Sequence, residues 1–169
     1  TLRNAAIVEL LFATGMRVSE LCSLEAKDVR LEEGNIYIMG KGSKERVIQI
    51  GNKEVLAILQ EYIDVKNSHK CKSNFFFINR FFSRISEQSV RFMLKKIRIK
   101  AGIPINITPH MFRHSFATLL LEEDVDIRYI QRMLGHSSIQ TTQIYTFVTT
   151  EKQRQILTTR HPRNKIAFM

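Results

Sequence analysis

Residues 108–145 read Thr108-Pro-His-Met-Phe-Arg-His-Ser-Phe-Ala-Thr118, pass through Leu134-Gly-His-Ser-Ser138 and close on Thr142-Gln-Ile-Tyr145. Thr108 is a good helix N-cap and Pro109 suits the first helical position. The following helix sets Phe112, Phe116 and Leu119 on one stripe, while His110 and Arg113, three apart, share another face. A second helix is expected from Asp126, with Ile127, Ile130 and Leu134 inward. Gly135 stands where a left-handed cap ends that helix, and His136 follows at once. Ser137 or Ser138 is available to cap a short helix leading to Tyr145. Arginine, histidine and tyrosine are thereby tied to the ends of packed helices, where a reactive group is held accurately.

Outward from this stretch, residues 1–15 form a helix with Ile7, Leu10, Leu11 and Thr14 on one stripe and Gly15 closing it. The abrupt start suggests that an N-terminal part precedes it. A second short helix opens at Met16-Arg17-Val18-Ser19-Glu20-Leu21, burying Leu21 and Leu24, with Arg17 at the joint. The period then changes: Val29 to Leu31, Ile36 to Met39 and Glu45 to Ile50 read as a three-stranded antiparallel meander. Its turns are Glu-Glu-Gly-Asn and Gly40-Lys41-Gly42-Ser43, which puts Lys41 at a hairpin tip. The Walker pattern is absent, which argues against a nucleotide loop.

Asn52 caps a helix to about Val65, with Val55, Leu59, Tyr62 and Ile63 inward, and residues 66–74 form a basic loop. Phe75 to Ile78 is a weak strand or a buried linker, and Phe81 and Phe82 are assigned to the core. Ser86 caps a long helix to Ala101, with Val90, Met93, Leu94 and Ile97 inward. Its other face carries Arg91, Lys95, Lys96, Arg98 and Lys100, read as contacting DNA in part. A capping box at Thr150-Glu-Lys-Gln153 starts a short helix whose strong apolar residues are Ile156 and Leu157. Such a helix must dock, on its own domain or on a neighbour.

The 169 residues suffice for one domain with a real core, and 26 Lys and Arg against 16 Asp and Glu give a net charge of +10. That surplus points to a polyanion, nucleic acid first and an anionic membrane surface second. No apolar run approaches the roughly 18 residues of a membrane span. Cys22 and Cys71 are too few for a disulfide framework; both read as small apolar fillers, and a cytoplasmic location follows.

Arg17, Lys41, His110, Arg113, His136 and Tyr145 fit phosphoryl transfer on a phosphodiester. Two arginines clamp non-bridging oxygens and neutralise transition-state charge. A phenol is a suitable covalent nucleophile, although a pKa of about 10 leaves only ~0.1% ionised at pH 7, so nearby cations must help. The departing sugar hydroxyl needs a general acid, which a lysine at a hairpin tip can supply. No carboxylate completes a metal site around His110 and His114, no GxSxG elbow is present, and the arginines make a metal or other cofactor unnecessary.

Ala13-Thr-Gly-Met-Arg17-Val-Ser-Glu-Leu21, Gly40-Lys41-Gly42 with Lys44, Glu45 and Arg46, His110-Met-Phe-Arg113-His114, Leu134-Gly-His136-Ser-Ser138 and Thr141-Thr142 before Tyr145 span nearly the whole chain. In this order they resemble the catalytic domain of the tyrosine recombinases, the phage-integrase and Xer group. The resemblance implies an α+β, mainly α domain over residues 1–169 with a small three-stranded antiparallel sheet, a tail over 149–169, and a separate N-terminal domain absent from this chain. It implies that Arg17, Arg113 and His136 bind the scissile phosphate, that His110 assists as acid-base or phosphate ligand, that Lys41 is the general acid and that Tyr145 is the nucleophile. It implies cleavage of double-stranded DNA through a 3′-phosphotyrosine; the charge reading adds Lys44, Arg46, Arg91, Lys95 and Lys96 as expected DNA contacts. Four protomers would act on two sites, weakly associated or monomeric without DNA, the tail docking on a neighbouring protomer. Asp124 departs from the family, which often has glycine at that helix end, and Phe147 replaces a common histidine. A type IB topoisomerase or a DNA-binding module without catalysis are the alternatives.

Overall fold

A computed structural model describes residues 1–39, 45–69, 72–135 and 150–165. The elements run α1 (Leu2–Thr14), α2 (Val18–Ser23), a 3-10 turn at Ala26–Asp28, β1 (Val29–Arg30), β2 (Asn35–Met39), β3 (Glu45–Gln49), α3 (Lys53–Ser68), α4 (Glu87–Lys100), α5 (Pro109–Glu122), α6 (Ile127–Leu134), α7 (Thr150–Arg160) and a closing 3-10 turn at Pro162–Lys165. The fold is α+β and mainly helical, as the sequence implies. The strands form one antiparallel meander in the order β1-β2-β3, with Ile36 opposite Ile48 and Met39 opposite Glu45.

Helix α1 is the spine, packing on α3 and α5, while α2 packs on α4 and β3 meets both α6 and α7. Ile7, Leu10 and Leu11 are fully buried, as the periodicity requires. Gly15 ends α1 at φ 59°, the left-handed turn that favours glycine. A Cβ there would also meet Leu134 and Phe116 at 2.8 Å, so glycine lets α5 and α6 close on the end of α1. Asn52 and Ser86 accept backbone N–H bonds at the starts of α3 and α4, as expected. Thr108 occupies its N-cap position without a side-chain cap bond.

Several expectations fail for a shared reason: an apolar side chain needs a facing surface, and helical period alone does not supply one. Phe81 and Phe82, expected in the core, are 70% and 50% exposed. They sit at the tip of a tight turn closed by the Ile78↔Arg84 bridge, where Asn79 accepts from the N–H groups of Phe81 and Ser83. Ile97 and Ile127 are exposed, and Met133 joins Ile130 and Leu134 in the buried stripe of α6, which starts one turn into the helix. On α5, Leu120 rather than Leu119 continues from Phe116 inward. Helix α3 runs to Ser68, beyond Val65, and α7 runs to Arg160, beyond Leu157. Asp124, where the family often has glycine, takes φ 57°, a left-handed geometry that aspartate tolerates less well than glycine but can adopt.

The tail seats on its own domain. Ile156 and Leu157 are buried, and buried Arg163 bonds Glu9 on α1 at 2.8 Å and reaches Glu54 on α3 at 2.9 Å. His161 is enclosed between the rings of Phe12 and Phe116 and accepts the Arg163 backbone N–H at Nδ1. Burial pushes its pKa down to about 4, against the pull of the Ala13 and Phe12 backbone. Cys22 is fully buried, and desolvation raises its thiol to about 11, as a filler should show.

Candidate functional site

The site gathers where the C-terminal ends of α1 and α6 converge. Each end leaves carbonyl groups without helical partners and carries partial negative charge. Arg113, one turn into α5, spans both: Nη1 donates to Gly15 O at 2.9 Å and Nη2 to Leu134 O at 2.7 Å. Arg46, at the start of β3, donates from Nε to Met133 O at 3.0 Å. The last carbonyls of α6 are thus held by two guanidiniums from two other elements. Gly135 turns the chain at φ 67°, and a Cβ there would stand 2.9 Å from Arg46 Nη1. Close approach and backbone conformation both demand glycine at this position.

Glu20 sits at the centre of the cations. Its two oxygens accept a forked pair of bonds from Arg46 Nη1 and Nη2 at 2.9 and 2.8 Å. The same oxygens accept from Arg17, whose Nη1 lies at 3.0 Å and whose backbone N–H lies at 2.8 Å. The latter bond is half of a capping box, the third helical residue reaching back to the cap. Burial alone would raise the Glu20 pKa, but the Arg46 and Arg17 bonds outweigh it and the carboxyl is lowered. Arg113 is pushed down to about 10, by burial first and then by the charge of Arg17, with Arg46 adding and Glu20 opposing. It therefore stays protonated at neutral pH while its surroundings favour an added anion.

Two of the six expected site residues, Arg17 and Arg113, come together here. His110 lies exposed one turn before Arg113 on α5, and His114 is exposed further along. Lys41, Lys44, His136 and Tyr145 lie outside the described residues, with Gly40, Ser137, Ser138, Phe147 and Cys71. Arg46, expected on DNA, is instead occupied in the protein, with its side chain 14% exposed. Arg91 pairs with Glu87 at 2.9 Å one turn earlier on α4, while Lys95 and Lys96 are exposed on that helix. Glu20 was not anticipated; its signal is the position three residues after Arg17, at the third residue of a helix.

The described part of the site offers Arg17, held by Glu20, and Arg113, held by the ends of α1 and α6, as cationic groups suited to an anion. Among the described residues no helix is long and apolar enough to cross a membrane.

Known proteins resemble this chain over nearly its whole length. A tyrosine recombinase of Agathobacter rectalis is 57% identical over 167 residues, which cover 99% of this chain and 55% of that protein. Tyrosine recombinase XerD of Staphylococcus saprophyticus is 44% identical, over 95% of this chain and 55% of its own length. The chain thus spans about half the length of these curated relatives. Among solved structures, XerA recombinase superposes with a TM-score of 0.76 at 35% identity, covering 99% of this chain and 60% of the other. XerH site-specific recombinase bound to its difH substrate, a pre-cleavage complex, gives 0.72 at 32% identity, over 91% of this chain and 46% of the other. The phage integrase family matches residues 1–152, nearly all of the sequence, and the chain belongs to that family, the tyrosine recombinases.

Proposed function

We propose that this chain is the catalytic domain of a site-specific recombinase that cuts and rejoins DNA through a covalent phosphotyrosine. The observation that carries the reading is the local charge. Among the described residues, three guanidiniums, Arg17, Arg46 and Arg113, surround the single carboxylate of Glu20. The surplus suits the non-bridging oxygens of one phosphodiester.

In this reading Arg17 and Arg113 bind the scissile phosphate together with His136, and His110 assists. Tyr145 Oη attacks phosphorus, the bond to the 5′-oxygen breaks, and Lys41 gives that oxygen its proton. A 3′-phosphotyrosine and a free 5′-hydroxyl result. That hydroxyl's counterpart on a partner strand attacks the phosphotyrosine, so the bond energy is conserved without ATP. The roles of Lys41, His136 and Tyr145 rest on the motifs. The substrate is double-stranded DNA, supported by the net charge of +10, the exposed Lys95 and Lys96, and the DNA-bound relative. Four protomers act on two sites in the cytoplasm, and the tail over 149–169 exchanges its own domain for a neighbour's.

Tyr145→Phe provides the test. It keeps the cationic surface, so it should bind site DNA as the parent does and leave no SDS-resistant protein–DNA adduct. An adduct at the parental level would remove Tyr145 from the nucleophile's role.

A further inference from the structure

Arg46 looks from the sequence like one more DNA contact: a cation beside a lysine-bearing hairpin in a basic protein. Its geometry says otherwise. The guanidinium forks onto both oxygens of Glu20 and sends Nε to Met133 O, across sequence separations of 26 and 87 residues. The Arg46 and Glu20 side chains are 14% and 8% exposed. Glu20 in turn grips Arg17 twice, at the backbone N–H and at Nη1. Met133 is two residues before Gly135, whose missing Cβ is what lets the guanidinium pass. One side chain on β3 therefore joins the helix bearing Arg17 to the helix end that precedes His136.

We propose that Arg46 is a positioning residue of the reaction, the strut that sets Arg17 and the end of α6 in one frame, and that it does not anchor DNA. The inference rests on the recombinase reading above. A planar fork with a third, outward N–H does what an ammonium cannot, because lysine has one nitrogen at the end of a flexible stem. Arg46 also neutralises Glu20. Without it the carboxylate keeps its position beside Arg17, competes with the phosphate for that guanidinium and repels the incoming anion. The loss of Arg46 should therefore be eased by removing the charge of Glu20.

The experiment compares Arg46→Lys, Arg46→Ala and the double variant Arg46→Ala/Glu20→Gln in the full protein. It reads DNA affinity against salt, and cleavage rate at saturating DNA on a nicked substrate that traps the adduct. Arg46→Lys should keep the parental salt slope and cleave roughly 10–100-fold more slowly, the scale of a small misplacement of catalytic groups. The double variant should cleave at least roughly tenfold faster than Arg46→Ala, a coupling that independent sites do not show. A salt slope shallower by ~0.9 in Arg46→Lys or Arg46→Ala, with the saturated rate unchanged, would make Arg46 a phosphate anchor and overturn the proposal. An unchanged rate with an unchanged slope overturns it as well. Absence of any adduct from the parent protein would instead defeat the recombinase reading. In that case ¹⁵N relaxation at Arg17 Nε still decides the strut: mobility should rise in Arg46→Lys, and an unchanged Arg17 rejects it. Arg46→Lys retains the charge, and melting curves on each variant confirm that folded protein is compared.

Discussion

Arg113 and Arg163 are both guanidiniums drawn into the domain, one at the C-terminal end of α1 and one at the tail's seat on the same helix. Their surroundings act in opposite directions. Around Arg113, burial and the charge of Arg17 lower the pKa to about 10, with Glu20 opposing. Around Arg163, burial also works against the charge, but Glu9 and Glu54 outweigh it and the pKa is raised. The tail arginine is balanced by acids already present. The arginine at the site is held by two main-chain oxygens and sits beside the like charges of Arg17 and Arg46. A buried cation matched by carboxylates holds a fold together, whereas one in cationic company is arranged for a ligand.

The contrast can be broken by measuring stability and rate on the same variants. Arg113→Ala is expected to show the largest effect, a cleavage rate lower by ~10²–10³, with a modest change in melting. A fall in melting as large as that of the tail variant, with the rate barely changed, would put both arginines in one structural class. Arg163→Ala should show the converse. Its loss leaves Glu9 buried without its partner and costs about 3 kcal/mol in urea unfolding, while the adduct rate per folded molecule changes little. A greater loss of rate than of stability would place the tail in the chemistry.

The smallest effect expected is set by pH and belongs to the tail. His161 falls from its ordinary 6.5 to about 4 on burial. The unfolded chain binds the proton more readily, so the contribution of the neutral ring is full above about pH 6.5 and declines as pH falls towards 4. Between pH 7.5 and 5 the loss should be about 2 kcal/mol. His161→Phe should flatten this part of the stability profile. A profile with the parental slope in that variant would move the titration to another group.

The sequence disclosed these regions unevenly. The helix carrying Arg113, the meander and the caps at Asn52 and Ser86 follow from local patterns. Arg17 and Arg113 were singled out because motifs name them, and the fold brings the two near one another. The partners of Arg46 were not legible, because they lie 26 and 87 residues away and local charge patterning has no view of such distances. Arg163 and His161, for which no local pattern gave a place, are both buried. Phe81 and Phe82 show the reverse error: strong hydrophobicity at a turn tip that stays 70% and 50% exposed, with Arg80 over one ring and His69 beside the other.

The acceptors that Arg113 meets at Gly15 and Leu134 are main-chain oxygens. This bears on how the site tolerates genetic drift. A carbonyl is supplied by every amino acid, so replacing Leu134 by another apolar residue changes packing without deleting an acceptor. The arginine's holders are largely invisible to point mutation in the coding sequence. What drift cannot touch is the path of the backbone, and hence the two glycines at 15 and 135, where an added methyl group would collide with Phe116 and Leu134 at one helix end and with Arg46 at the other. The site's durability rests on the residues with the least side chain.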